Sequence, residues 1–261
     1  MKKNIITFFL VSVIQVGQSG ITLETDFLWQ PGEELFYSVK WSFLTLGKLH
    51  LQTIEADSLN NSKVFFCRMY VDSNPYLPFI NIHDIYESYI DSSGMYSHRY
   101  QSYEDKGDYI LYTEYDFIYP EDQVRMKIEK RGNNKIELLL DSVTTISEKV
   151  FDGLSILYFT RAMSKKNIYL SIPVFIFNKF EYTDVRFTGT QEILQIKNQK
   201  IPGFYLDGRM KFVGFAGVKE DFQGWFSPDG QSIPLKALMK AFIGNVKIEL
   251  REWKNWKGAL F

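Results

Sequence analysis

Val150–Ser164 reads VFDGLSILYFTRAMS, a run that prefers helix in a chain otherwise written in strands and turns. Asp152 stands where an N-cap belongs, with a carboxylate to offer to free amides and to the positive end of the helix dipole. Leu154, Leu157, Tyr158, Arg161 and Ala162 follow at the i, i+3, i+4, i+7, i+8 spacing of one helical face, and Ile156, Phe159 and Met163 make the adjoining face apolar too. A helix apolar almost all round is buried. A dozen residues span about 18 Å, enough to cross a small domain and too short for a bilayer. Arg161 is the exception on this helix. A buried guanidinium needs a carboxylate or carbonyl partner, so Arg161 either ties the helix to the sheet or meets an anionic ligand.

Outward from this stretch the pattern is short and alternating. On the N-terminal side, strands are expected over Glu34–Trp41, Thr45–Glu55, Lys63–Asp72, Ile80–Asp91, Met95–Glu104, Tyr109–Tyr119 and Gln123–Lys130, with Lys135–Leu140 a further strand or a linker into the helix. Turn residues such as Ser73-Asn74-Pro75, Asp105-Lys106-Gly107-Asp108 and Tyr119-Pro120-Glu121-Asp122 punctuate them. On the C-terminal side the rhythm resumes over Ile168–Phe177, Lys179–Thr188, Glu192–Lys197, Phe204–Phe212, Lys219–Phe226 and Asn245–Trp253, while Leu235–Ile243 has the spacing of a short second helix. The fold class is mainly β: a curled antiparallel sheet, open barrel or sandwich around one buried helix at about 152–163. One continuous sheet and two packed β-subdomains joined by the helix both fit. No composition shift marks a boundary, so residues 20–261 read as a single β-rich domain.

Residues 1–19 have the form of a secretory signal peptide: Lys2 and Lys3, an apolar run from Ile5 to Val16, and small residues at Gly17 and Ser19 before a cut at Gly20. The apolar run is short of a membrane span, and no cysteine lies near the cut to carry a lipid. The expected compartment is the periplasm or cell envelope, without lipoprotein anchoring or a transmembrane span in the mature chain. Cys67, alone in the chain, cannot form an internal disulfide; within Val64-Phe65-Phe66-Cys67 it reads as a small buried hydrophobe. Thirty basic residues against 31 acidic give a formal net charge of -1, which removes the electrostatic case for nucleic acid.

No Walker loop, dinucleotide fingerprint or nucleophile elbow is present. His50, His83 and His98 fall on separate strands, and His83 and Asp84, as strand neighbours, point to opposite faces, so neither a metal nor a cofactor is expected. Asp84, Glu87 and Asp91 are the weak catalytic candidates, as a carboxylate pair for glycan hydrolysis; Glu220 and Asp221 are a second carboxylate pair. Phe65, Tyr70 and Tyr76, and Tyr109, Tyr112, Tyr115 and Tyr119, pack a core or line a greasy cavity.

Four segments in order carry a family resemblance: Gly32-Glu33-x-Leu35-x-Tyr37-x-Val39-x-Trp41 followed by Gly47; Asp84 with Ser88, Ile90 and Asp91; Asp152-x-Leu154-Ser155-x-Leu157-Tyr158-x-x-Arg161; and Trp225-x-Ser227-x-Asp229 with Pro234. They resemble the exported bacterial family catalogued as domain of unknown function number 3108. Ser42-Phe43 and Lys48 depart from the small residues expected around the first hairpin. The resemblance implies one β-rich envelope domain and brings no catalytic residues. Together these readings lead to an exported, non-enzymatic protein that binds a lipid-like or amphipathic molecule or an envelope protein partner, with a glycan hydrolase and a structural subunit of an envelope assembly as the alternatives. Asp152, Tyr158 and Arg161 are the residues expected to act as ligand site or structural tie.

Overall fold

The computed structural model describes residues 25–77, 81–132, 135–196, 199–213, 219–240 and 244–258. The signal-peptide reading of residues 1–19 and the cut before Gly20 lie outside them, as do Pro78 and Ile80. Eight strands come first: β1 (Glu33–Trp41), β2 (Leu44–Leu59), β3 (Ser62–Ser73), β4 (His83–Asp91), β5 (Ser97–Asp105), β6 (Ile110–Ile118), β7 (Gln123–Gly132) and β8 (Lys135–Thr145). The helix α1 (Ser155–Met163) follows. Six more strands complete the described chain: β9 (Asn167–Ile176), β10 (Lys179–Ile196), β11 (Gln199–Val213), β12 (Lys219–Phe226), β13 (Pro234–Lys240) and β14 (Asn245–Lys254).

Each meander pairs antiparallel with itself in sequence order, and β14 pairs with β1. The two therefore fuse into one 14-stranded sheet with β8 and β9 at its edges. The chain must travel from one edge to the other between β8 and β9, and that crossing carries α1. Because the helix is apolar on nearly every side, the crossing runs through the concave interior.

The edges overlap without pairing to each other. Phe175 of β9 packs its ring against Tyr115 and Phe117 of β6, with centroids 5.1 and 5.9 Å away. The Tyr115 hydroxyl donates to Asn178 Oδ1 at 2.7 Å. Between them the segment before the helix bonds to both meanders: Ser97 N–H donates to the Val150 carbonyl, and Phe151 exchanges bonds with Pro173 and Phe175. β8 is left outside as a flange, with Ile136, Leu138, Leu139 and Val143 exposed.

Three sequence expectations change. The spacing of Leu235, Leu238 and Met239 suggested helix, but Pro234–Lys240 is a strand between β12 and β14, and residues 241–243 lie outside the described chain. A short apolar run fits both periods, and two waiting sheet edges select the extended one. Lys179–Thr188 and Glu192–Lys197 are not separate strands; Lys179–Ile196 is continuous, with a bulge between Phe187 and Gln191 absorbing Gly189 at φ +64°. Lys135–Thr145 is a full strand and not a linker. At the first hairpin Ser42 takes a left-handed φ of +53° and Phe43 is exposed, so bulk there meets no neighbour. Gly47 is required by contact: a Cβ would sit 2.2 Å from the Asp72 carbonyl oxygen across the ladder.

Candidate functional site

The helix begins at a buried acid. Asp152 Oδ1 accepts the backbone N–H of Leu154 at 2.7 Å and of Ser155 at 2.8 Å, and the Asp152 carbonyl takes the Ile156 N–H at 3.1 Å. These are capping bonds, although regular helix starts at Ser155. Its Oδ2 accepts the hydroxyls of Ser88 at 2.5 Å and Ser97 at 2.7 Å. With the Ser97 proton committed there, the Ser155 hydroxyl donates to Ser97 Oγ across 2.8 Å. All four residues are buried, and burial pushes the Asp152 carboxyl above its ordinary range against the hydrogen bonds that favour its charge.

One and two turns further on, the same helix meets other strands. The Tyr158 hydroxyl lies 2.9 Å from Thr53 Oγ1 on β2, and its ring stacks on Trp29 at 5.0 Å. Burial raises the Tyr158 hydroxyl far above the usual phenol range. Arg161 reaches Glu33 at the start of β1, with Nη1–Oε1 and Nη2–Oε2 both 2.8 Å apart. The first of these contacts is an ion pair without hydrogen-bond alignment. Nε and Nη2 also donate to the Gln231 carbonyl at 3.2 and 2.9 Å. Burial works against the guanidinium's charge, and the Glu33 carboxylate more than offsets it. Helical turns rise about 5.4 Å and strands lie about 4.8 Å apart, so residues three apart on α1 touch different strands. The helix thus crosses the sheet and closes one end of its interior.

Gln231 extends this tie. Its amide nitrogen donates to Glu33 Oε2 at 2.9 Å and to the Asn255 carbonyl at 3.1 Å, and its oxygen accepts the Lys257 N–H at 2.7 Å. Glu33, Ser88, Ser97, Thr53 and Gln231 were not singled out as partners by sequence reasoning. A signal existed for two of them: Glu33 and Ser88 occur in the resemblance segments, which converge here on Asp152, Ser155 and Arg161.

The three carboxylates proposed for acid–base chemistry are not brought together. Cross-strand partners share a face, and Asp84 lies in the inward row of Val71 and Glu104, whereas Glu87 lies in the outward row of Arg68 and Gln101. Arg68 holds Glu87 with Nε at 2.7 Å. Asp91 is engaged by Ser93, by the Gly94 N–H at 2.7 Å and by His98 Nε2 at 3.2 Å. Burial raises its carboxyl, and these bonds carry it well below the ordinary range. Asp84 accepts the Tyr86 hydroxyl and the Asp105 N–H, both at 3.1 Å, and burial leaves it raised. Asp221 lies on Arg209 at 3.0 Å, exposed; the side chain of Glu220 is outside the described set. His50 sits on Glu34 and His83 on Asp72, apart from His98.

The aromatic stripes also divide between the two faces. Phe65 and Tyr115 are buried on the concave side, while Tyr70 stacks with His50, which stacks in turn on Phe36, on the convex side and Tyr76 is exposed. Tyr112 faces outward under the Arg131 guanidinium, 3.4 Å from its ring centre.

What the concave face offers changes with distance from α1. The row Leu35–Leu51 is buried, and the next, Tyr37–Leu49–Val71–Asp84–Glu104, is mixed. Beyond it runs Val39–Ile248–Ala237–Gly224. Leu49, Val71, Val39, Ile248 and Ala237 are inward-facing and apolar yet only half-buried.

A single antiparallel sheet curled around a crossing helix, open at its edges, defines a barrel-like protein. The chain belongs to the family described as protein of unknown function DUF3108, whose pattern matches residues 37–251. In three dimensions it is similar to a beta-barrel-like protein of domain of unknown function DUF1849 from Brucella abortus, at 8% identity and TM-score 0.57, over 85% of this chain and 96% of that one. A Bacteroides fragilis protein with YmcC-like fold aligns at 9% identity over 88% of this chain and 99% of that one, with a TM-score of 0.38. The first likeness concerns the fold; the second is too low to carry an argument. No curated protein matches the chain. Among the described residues no helix is long and apolar enough to cross a membrane.

Proposed function

We propose that this chain is an exported, non-enzymatic envelope protein that holds an amphipathic, lipid-like molecule in the concave side of its sheet, at the end away from α1. The observation that carries the reading is the partial exposure of Leu49, Val71, Val39, Ile248 and Ala237, which face inward but are less deeply buried than Leu35 and Leu51, with Leu49 and Ile248 at the margin of the main core. Ligand sites are concave and mostly apolar with a few polar groups, and Asp84 and Glu104 supply such groups in the same row. In this reading Asp152, Tyr158 and Arg161 hold the plug in place and do not touch the ligand. Export rests on the charged, apolar and small-residue order of residues 2–19.

The test is fluorescence of N-phenyl-1-naphthylamine added to the purified protein, paired with native mass spectrometry of protein taken gently from the envelope. Enhancement in the wild type, lost in a folded Val71→Glu variant, is expected. A wild type that neither enhances the dye nor carries an extractable adduct rules the reading out.

A second reading, attachment to an envelope protein, is favoured by the β8 flange, whose outer residues Ile136, Leu138 and Val143 are exposed beside a free strand edge. Leu138→Lys would then release a stoichiometric partner in cross-linking without altering dye binding.

A further inference from the structure

The two most exposed aromatic side chains of the described chain stand on adjoining tips, at the end of the sheet away from α1. Phe43, in the turn between β1 and β2, is 94% exposed, and Tyr76, in the connection between β3 and β4, is 89% exposed. Asn74 clasps the second tip to the first hairpin. Its N–H donates to the Leu46 carbonyl at 2.7 Å, its side-chain amide to the Thr45 carbonyl at 2.9 Å, and its Oδ1 accepts the Tyr76 N–H at 3.1 Å. The backbone that presents Tyr76 is thus bonded to the strand that follows Phe43. A lone exposed aromatic is ordinary on a protein surface; two held on neighbouring tips form a patch that calls for a cover. A second observation lies just inside the tips. Trp41 continues the inward alternation of Leu35, Tyr37 and Val39, and its row reads Trp41–Val246–Met239–Phe222. Trp41 is 39% exposed and the other three are half-buried. With Val39–Ile248–Ala237 as the next row inward, the wall made by β1, β14 and β13 is apolar from the core to its outer lip, and Phe43 extends that surface past the end of the strands.

We propose that this end of the sheet docks on a lipid bilayer, with Phe43 and Tyr76 set into the interfacial layer and Trp41 at the lip. Aromatic rings are the side chains favoured at that depth, whereas the exposed aliphatic residues Ile136, Leu138 and Val143 stand on β8 at the far edge of the sheet. Lys48, Lys240 and Lys247 near the lip each reach a carboxylate, of Asp72, Asp221 and Glu249, at 3.8, 3.5 and 3.2 Å. Their charge is thereby offset locally, which leaves apolar transfer, and not attraction to an anionic surface, as the larger force at this end. The apolar wall behind the tips then gives a hydrocarbon tail a continuous path between bilayer and interior. That path rests on the amphiphile-binding reading above; docking itself does not.

The experiment is flotation of the chain, purified from the envelope, with phosphatidylcholine vesicles in about 0.5 M NaCl, which screens surface charge. The wild type is expected to float. Its partition coefficient should fall by about tenfold in Phe43→Ser, the factor that withdrawing one large apolar side chain from water supplies, and by about threefold in Tyr76→Ser, whose hydroxyl stays wetted. Leu138→Ser on the β8 flange should leave it unchanged. Both tip side chains are almost fully exposed, so the variants should fold and bind N-phenyl-1-naphthylamine without vesicles as the wild type does. A wild type that stays in the dense fraction, tip variants that float as well as the wild type, or a loss in Leu138→Ser equal to theirs overturns the docking and leaves the amphiphile reading to its own dye test. Tip-dependent flotation of a chain that binds no dye upholds the docking and removes the tail path together with the amphiphile reading.

Discussion

Replacing Arg161 with Met is the sharpest test of how the helix is held. Arg161 and Glu33 are each about 1% exposed and meet through two N–O contacts of 2.8 Å, with the Gln231 carbonyl taking further bonds at 2.9 and 3.2 Å. In Arg161→Met the Glu33 carboxylate keeps the Gln231 amide at 2.9 Å and loses its counter-charge. Removing one member of a buried pair costs about 3–5 kcal/mol, since the other is left charged and uncompensated. For a chain of this size about 2–4 °C of melting temperature corresponds to each kcal/mol, so the midpoint should fall by roughly 6–20 °C. The double variant Glu33→Met/Arg161→Met should recover much of the loss, because apolar replacement of a whole buried pair is often close to neutral. Urea denaturation of wild type, both singles and the double closes the cycle, with an expected coupling of about 2 kcal/mol or more. If Arg161→Met stays within about 1 kcal/mol of wild type and the cycle is additive, the pair does not tie helix to sheet and the reasoning fails.

The acid limb of stability tests the charge environments of two aspartates. Asp91 has a folded-state pKa below its unfolded value near 3.9, so its contribution is present above that value and is lost as pH falls through the folded one. Asp91→Asn should therefore lower the pH 7 urea midpoint and flatten its decline below pH 4; an unchanged acid limb contradicts the assignment. Asp152 is shifted upward, so it acts with the opposite sign, and ionising it costs stability as pH rises from the usual carboxylate value to the raised one. Asp152→Ala strands two backbone N–H groups and two serine hydroxyls at the helix start. A loss of about 2–4 kcal/mol is expected in the same urea assay, and a loss below about 0.5 kcal/mol would show that the cap is dispensable. Gly47→Ala should destabilise by about 2 kcal/mol or more, its new Cβ meeting a backbone carbonyl at 2.2 Å. Gly153→Ala, with nothing within 4 Å, should change the melting temperature little; equal effects from the two would refute the contact argument.

The alternating strands and the buried helix were legible in the sequence because each is a local periodicity. Leu35, Tyr37, Val39 and Leu49, Leu51, Thr53 alternate against polar neighbours, and that signal survives in the faces they take. The same logic failed at Pro234–Lys240, where seven residues satisfy two periods and the neighbouring strands decide. It also failed at the bulge after Phe187, where one continuous strand looked like two. For the candidate site, Arg161 could be recognised as needing a partner, but the partner is 128 residues away in Glu33. Strand alternation alone puts Asp84 among apolar neighbours and Glu87 on the opposite face, but only pairing to β3 and β5 shows which face is interior and sets Glu87 against Arg68 outside.

What the chain determined by itself is therefore what a few neighbouring residues can express: strand rhythm, the cap at Asp152, the all-round apolarity that forces α1 inward, and a charge balance unsuited to nucleic acid. Only the tertiary structure decided that β14 joins β1, that the two edges overlap and leave β8 outside, and that Asp84 faces the interior. The reason is physical. Periodicity says which side chains share a face, but a face becomes interior, surface or binding wall only when distant strands close around it.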